Sequence, residues 1–392
     1  MSKEDLSQSG LYLGREQSLV KHIILQSYLE RFAHIIGSHW DAITYVDCFS
    51  GPWKQRSQEL KDTSFSIALE ELRKARQTYK RLGRNLKLRC FFLEKEPEPF
   101  KKLSEFAGKI TDVEVSPKNS TLEEAIPSIL SFIKEGGKKS FPFIFIDPTG
   151  WTGFEMDVIE PLLLLNPGEV LINFMTGDIR RFLESPQQAT RDSFKRLFGT
   201  EDVFDKIQGL HGQDREDMAV AEYRQQIAKT GHFNYTAAAM VLHPLVDCTR
   251  FHLIYATRSE KGIEVFKEAE KKAMEKQEHE RAEAQYKRRE TKTLQRSFFS
   301  AEESYDPSFY ESLRDRYLAQ SKKHVLQMLS VNKRNLYDEI WAAALEFPLV
   351  WESDLKEWIA EWEKEKLLSI EGKKTPRQKV PHRNEGNFLV WK

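Results

Sequence analysis

The chain has 392 residues, with 60 Lys plus Arg balanced by 60 Asp plus Glu, and is 31% charged and 40% hydrophobic. Zero net charge excludes a histone-like polycation and an acidic disordered chain, so any hold on nucleic acid must come from charge gathered on one face. No apolar run approaches the ~20 residues of a membrane-spanning helix, the first ten residues are polar rather than signal-like, and the three cysteines show no C-x-x-C pairing.

A cytoplasmic chain of two or three compact units, without a disulfide framework or a zinc cage, is expected. In chain order, Leu19, Ile23, Ile24, Tyr28 and Phe32 recur at three- and four-residue steps and predict an amphipathic helix over 18–36. Short apolar segments follow at 42–49, 88–93 and 141–146, with further strands at 113–115 and 169–174, all separated by stretches of helical character. This rhythm predicts an α/β fold, a Rossmann-like parallel sheet with helices on its faces. A mostly helical insertion at about 177–233 precedes strands at 236–242 and 251–257, read as an antiparallel pair that ends the sheet.

Interleaved Lys, Arg and Glu over 260–296 predict a long solvated helix between two domains. Helical segments at 322–329, 336–346 and 353–368, a basic turn and a strand at 387–391 predict a C-terminal winged-helix-like domain. The expected division is an α/β domain over 1–262, a charged helical linker over 263–320 and the winged-helix-like domain over 321–392.

In an open parallel sheet the ligand crevice lies beyond the carboxyl ends of the strands. Three predicted strands end on acids: Asp47 before Phe49, Gly51 and Pro52; Glu94; and Asp147 before Pro148. A carboxylate ending the second strand can accept both hydroxyls of a ribose, and a tight glycine turn after the first strand lets a cofactor approach the backbone. The loop lacks G-x-G-x-x-G, so Asp47, Phe49, Gly51 and Pro52 suit an adenosyl ligand without pyrophosphate, with S-adenosylmethionine the leading candidate. Asn119, after the third strand, is placed to reach an adenine edge.

Asp147, Pro148 and Trp151 resemble the Asp-Pro-Pro-Tyr loop of methyltransferases acting on exocyclic amines, where the acid and a backbone carbonyl hold the amine and the ring stacks on the base. Thr149 and Gly150 replace the second proline and the tyrosine here, so either Trp151 stacks from the next position or amine methylation has been lost. No phosphate loop, metal-ligand cluster or nucleophile elbow competes.

Val20 to Leu25 in the first helix, Tyr45 to Pro52, Thr63 to Leu69, Phe92 to Lys95, Phe145 to Gly150, Val170 to Met175, and His252 to Ser259 followed by Gly262 form an ordered set. Taken together they resemble the three-Cys-motif partner proteins, a bacterial family with a class I methyltransferase-like fold. The chain departs from that family at Trp53, where a second glycine is usual, and at Thr63-Ser64-Phe65, where Gly-Ser-Pro is usual. The resemblance implies a separate three-Cys-motif protein as partner and leaves the reaction open. Lys21-His22 with Asp147-Pro148 also looks like the ribosomal-RNA adenine-N6 methyltransferases, which points to a nucleic-acid amine and to Lys21 reaching the substrate.

Plainer roles stand beside these. Asp47 and Glu94 can cap the helices after their strands, Asp147 can form a turn before Pro148, Lys21 can be solvated, and the late tryptophans can fill a small core. The predicted helix over 353–368 carries five acids and would repel a major groove. The turn after it holds Lys373, Lys374, Arg377, Lys379 and Arg383 as candidate phosphate contacts, or as a plain solvated loop. Two functions follow: a methyltransferase, or a catalytically inactive relative that binds a protein partner or nucleic acid.

Overall fold

The computed structural model describes residues 11–51, 57, 60–183, 185–293, 300–375 and 380–392. The chain divides into two compact units, residues 1–236 with 240–304 and residues 237–239 with 305–392.

The first unit opens with α1 (Glu16–His39) and then alternates β1 (Ala42–Asp47), α2 (Ser64–Arg81), β2 (Lys87–Glu94), α3 (Pro97–Ala107), β3 (Glu114–Asn119), α4 (Leu122–Glu135), β4 (Ser140–Ile146), α5 (Met156–Leu163) and β5 (Glu169–Phe174). Four helices follow, α6 (Thr176–Phe182), α7 (Gln188–Phe198), α8 (Asp202–Ile207) and α9 (Gly212–Gly231), then β6 (Tyr235–Leu242), of which residues 237–239 are counted with the second unit, β7 (Thr249–Thr257) and α10 (Glu260–Thr293). The strands form one sheet in the order β3-β2-β1-β4-β5-β7-β6. β1 to β5 are parallel, and β7 runs antiparallel to β5. β6 and β7 are joined across residues 243–248, closed by the His243 N–H on the Cys248 carbonyl at 2.9 Å, a link too short for anything but an antiparallel pair. This is the mixed α/β fold with a mostly parallel central sheet that the apolar rhythm predicts.

β1, β4 and β5 are buried along their whole length, which is why they read as continuous apolar runs rather than alternating ones. The core against α1 is aromatic: Tyr28 stacks on Phe143 at 5.5 Å, Phe143 on Tyr45 at 6.0 Å, and Phe32 tilts onto Phe143 at 5.2 Å. β3 is longer than the predicted 113–115 segment. Its Pro117 and Lys118 hide the pattern, and edge position lets the sheet tolerate the proline.

The charged helix corrects an expectation. α10 is not solvated all round: Ile263, Phe266, Ala269, Ala273 and Met274 are buried, Phe266 stacks on Tyr255 at 4.8 Å, and the helix packs on α1 within the first unit. The buried stripe includes weakly apolar alanines, Ala269 and Ala273, so charge on the other faces conceals it.

The second unit holds α11 (Ser308–Asn332), β8 (Arg334–Leu336), α12 (Tyr337–Leu345), α13 (Glu352–Lys364), β9 (Leu368–Glu371) and β10 (Phe388–Trp391). β10 lies between β8 and β9, antiparallel to both. α11 starts well before the predicted 322, because Leu313, Tyr317, Ser321, Val325 and Leu329 keep one buried face at four-residue steps. Trp341, Trp358 and Trp362 are buried in this unit, and Trp391 meets Trp362 edge-on at 5.6 Å. No helix among the described residues is long and apolar enough to cross a membrane.

Candidate active site

The strand order reverses direction between β1 and β4, and the carboxyl ends of these two strands are where an open α/β sheet leaves a crevice. Asp47 is the last residue of β1 and pairs in register with Phe145, so Asp147 emerges two residues further along the neighbouring strand. Glu94 ends β2 in the same way, two residues beyond Phe92, the partner of Asp47. Parallel register therefore brings the three predicted acids to one edge of the sheet.

Asp47 is fully buried. One oxygen accepts the Phe49 N–H at 3.1 Å and the other the Ser64 hydroxyl at 2.6 Å. The turn behind it is tied down on both sides, by the Cys48 N–H on the Phe145 carbonyl at 2.9 Å and the Ser50 N–H on the Leu93 carbonyl at 2.7 Å. Burial pushes the Asp47 carboxyl up to about 6, with the nearby Asp147 charge adding to the rise and the Ser64 and Phe49 donors opposing it. Gly51 is half-buried at the end of the turn, and Pro52 and Trp53 lie outside the described residues.

Asp147 is the most heavily engaged of the predicted catalytic set. Lys21 Nζ from α1 donates to its Oδ2, with both side chains 12% exposed, and Asn173 Nδ2 from β5 donates to its Oδ1 at 2.7 Å. The lysine predicted as a substrate contact is thus a partner of Asp147 from the opposite end of the sequence. Its neighbour His22 is buried and shares a 2.8 Å hydrogen bond with the Tyr12 hydroxyl. Burial holds the imidazole well below its ordinary range, with the Lys21 and Arg15 charges adding to the effect. Pro148 is buried.

Trp151 is half-buried, with its ring against Phe182 at 4.8 Å and stacked on Phe194 at 5.7 Å. It ties the loop after β4 to α6 and α7. Glu94 is buried and accepts the Glu96 N–H at 2.7 Å, which fixes its carboxyl in the turn before α3. Asn119 uses its side-chain N–H groups on the Glu94 and Lys95 carbonyls, at 2.8 and 3.0 Å. That amide fastens the strand end that carries Glu94.

Of the basic turn in the second unit, Arg377 and Lys379 lie outside the described residues. Lys373 pairs with Glu363 at 2.5 Å and Lys374 with Glu385 at 2.8 Å. Arg383 lies over the Trp341 ring at 3.9 Å, with Asp338 at 4.0 Å. Each described base has an acidic neighbour that a phosphate would have to displace.

Sequence reasoning missed Ser64 and Asn173. Ser64 stands in the segment already noted for its departure from Gly-Ser-Pro, and Asn173 is a polar residue within the apolar run of β5; both signals were present. A cavity of about 430 Å³, lined by Tyr28, Phe32, Trp40, Phe141 and Glu169 among others, opens at the other end of the sheet, where β4 and β5 begin. It is separate from the strand-tip acids. Among the described residues no cluster of His, Cys, Asp and Glu could hold a metal ion.

No family model and no curated protein matches the sequence, so the resemblance to three-Cys-motif partner proteins rests on the motif residues alone. Among solved structures, the chain is similar to protein LPL1258 from Legionella pneumophila, described by the family model DUF519. That match has a TM-score of 0.34 and 12% identity over 60% of this chain and 84% of that one. It is also similar to a loganic acid methyltransferase solved with SAH, with a TM-score of 0.30 and 9% identity over 68% of this chain and 84% of that one.

Proposed function

We propose that the chain is an S-adenosylmethionine-dependent methyltransferase whose acceptor is an exocyclic amine of nucleic acid. The observation that carries this reading is the arrival of Asp47, Glu94 and Asp147 at the carboxyl ends of β1, β2 and β4, with Lys21 paired to Asp147. Carboxyls gathered at these strand tips suit a ligand that brings a cationic sulfonium and ribose hydroxyl donors. The residues present therefore fit the cofactor, which when bound supplies an electrophilic methyl group.

Glu94 would accept the ribose hydroxyls, and the turn from Asp47 through Phe49 and Gly51 would face the methionine end, with Pro52 continuing it. Asp147 would accept an N–H of the amine and so aim the nitrogen lone pair. Rate would come from positioning in a crevice built before the substrate arrives. The test is transfer of labelled methyl to RNA and DNA by wild type and by Asp147→Asn, where transfer by the wild type alone supports the reading.

One observation favours an inactive binding protein instead. Trp151, the ring expected to stack on a base, already stacks on Phe194. Cofactor binding without transfer to any nucleic acid would support this second reading. The three-Cys-motif partner is part of the proposal through the sequence resemblance, and co-elution of the two proteins tests it.

A further inference from the structure

Asn173 has no role in the scheme above, yet it is buried, with 3% of its surface exposed, and it touches the central carboxylate. Its amide offers donors on one side and an acceptor on the other. Nδ2 lies 2.7 Å from Asp147 Oδ1 and 3.5 Å from Met175 Sδ. The amide cannot be turned over, because a reversed side chain would set its carbonyl oxygen against the carboxylate that Lys21 also pairs with. In this fixed orientation Oδ1 is buried and finds no hydrogen-bond partner among the described residues. A buried carbonyl oxygen left this way is unfavourable until a ligand donor reaches it.

The spacing suits one kind of donor. Amide bond lengths and the observed hydrogen bond place Oδ1 roughly 3.5–5 Å from Asp147 Oδ1. Two N–H groups on one planar nitrogen, each making a bond of about 2.9 Å and spread by about 120°, reach acceptors up to about 5 Å apart.

We propose that Asn173 Oδ1 accepts one N–H of a primary amine while Asp147 accepts the other, so that the site takes unmethylated amines and rejects monomethylated ones. This rests on the methyltransferase reading. A monomethylated nitrogen has a single N–H: given to Asp147, it leaves Asn173 Oδ1 unpaired, and given to Asn173, it sets the methyl group against the Asp147 carboxylate, displacing the amine from that acceptor. Sites built on such hydrogen bonds discriminate strongly against analogues that lack the donor.

The test uses the full chain with excess S-adenosylhomocysteine and four short RNA probes. Two carry a single adenine, unmodified or N6-methylated, and two a single cytosine, unmodified or N4-methylated. Fluorescence anisotropy should show the wild type binding one unmodified probe at least about tenfold tighter than its methylated twin, the effect of leaving one buried acceptor unpaired. Asn173→Val, which lacks the acceptor, should bring the pair within about twofold of each other, and Asn173→Thr, which restores an oxygen on the same branched frame, should recover discrimination. If Asn173→Val does not fold, Asn173→Ala carries the same expectation. Unchanged discrimination in the valine or alanine variant overturns the assignment of Asn173 while sparing the amine reading. Binding of no probe by the wild type overturns both.

Discussion

Lys21 in α1 and Asp147 at the end of β4 stand 126 positions apart in the sequence and form one ion pair, with Asn173 completing the carboxylate's partners. The pair fastens the first helix to the reactive edge of the sheet. Removing one partner of a mostly buried pair leaves the other charge uncompensated, so Lys21→Met should destabilise the fold by about 1–3 kcal/mol, less than a fully buried pair would because both groups retain some solvent. Asp147→Asn should lose methyl transfer while S-adenosylhomocysteine affinity stays within about threefold. Denaturant titration and calorimetry on the two variants separate the roles.

Asp47 predicts an unusual pH dependence. Its folded value of about 6 lies above the ordinary carboxylate value, so the native state holds the proton more tightly, and this group adds stability as pH falls from 6 towards 4. The full effect is about 3 kcal/mol. His252 acts in the opposite sense, since burial lowers it to about 4. It stays neutral in the fold and removes about 3 kcal/mol as pH falls from 6.5 to 4. Asp47→Asn should therefore steepen the loss of stability between pH 6 and 4, and His252→Gln should soften it. Urea midpoints across that range read both effects, and parallel curves for wild type and Asp47→Asn would contradict the assignment.

A tightly packed glycine lies at the start of α10. A Cβ at Gly262 would stand 2.3 Å from the Tyr255 hydroxyl, 2.9 Å from Thr257 Oγ1 and 3.0 Å from Glu169 Oε1. Those groups belong to one buried hydrogen-bond cluster: Tyr28 donates to Glu169, Thr257 donates to it at 2.8 Å, and the two tyrosine hydroxyls lie 2.7 Å apart. Gly262→Ala should lower stability by about 2–3 kcal/mol through overpacking and broken hydrogen bonds, read as a drop in the thermal midpoint.

Trp151 should behave as a packing residue. Trp151→Ala removes its contacts with Phe182 and Phe194 and should cost about 2–4 kcal/mol, at the lower end of large-to-small changes because the ring is only half-buried. Affinity for S-adenosylhomocysteine should change by less than about threefold. A large loss of ligand affinity at unchanged stability would show that the ring faces the ligand instead.

The strand-tip acids were legible because a parallel sheet fixes where its carboxyl ends lie, and apolar runs ending in Asp47, Glu94 and Asp147 mark those ends in the sequence. Lys21 was legible only through resemblance, since nothing local distinguishes a lysine that crosses to another element from a solvated one. Asn119 was assigned to an adenine edge by position alone; whether its amide had free donors depended on carbonyls 24 and 25 residues away in sequence. The apolar stripe of α10 escaped because alanines and charges share its turns. The basic turn near Lys373 looked open to phosphate because its neutralising acids, Glu363 and Glu385, flank the turn rather than interrupt it.

The central claim is that the tips of β1, β2 and β4 form an adenosyl site. Isothermal titration of the full chain with S-adenosylhomocysteine tests it most directly. The account predicts one site per chain, weakened at least about tenfold by Glu94→Ala, which removes the acceptor for the ribose hydroxyls. No binding heat and no thermal shift at millimolar ligand, or equal affinity in Glu94→Ala, would contradict it.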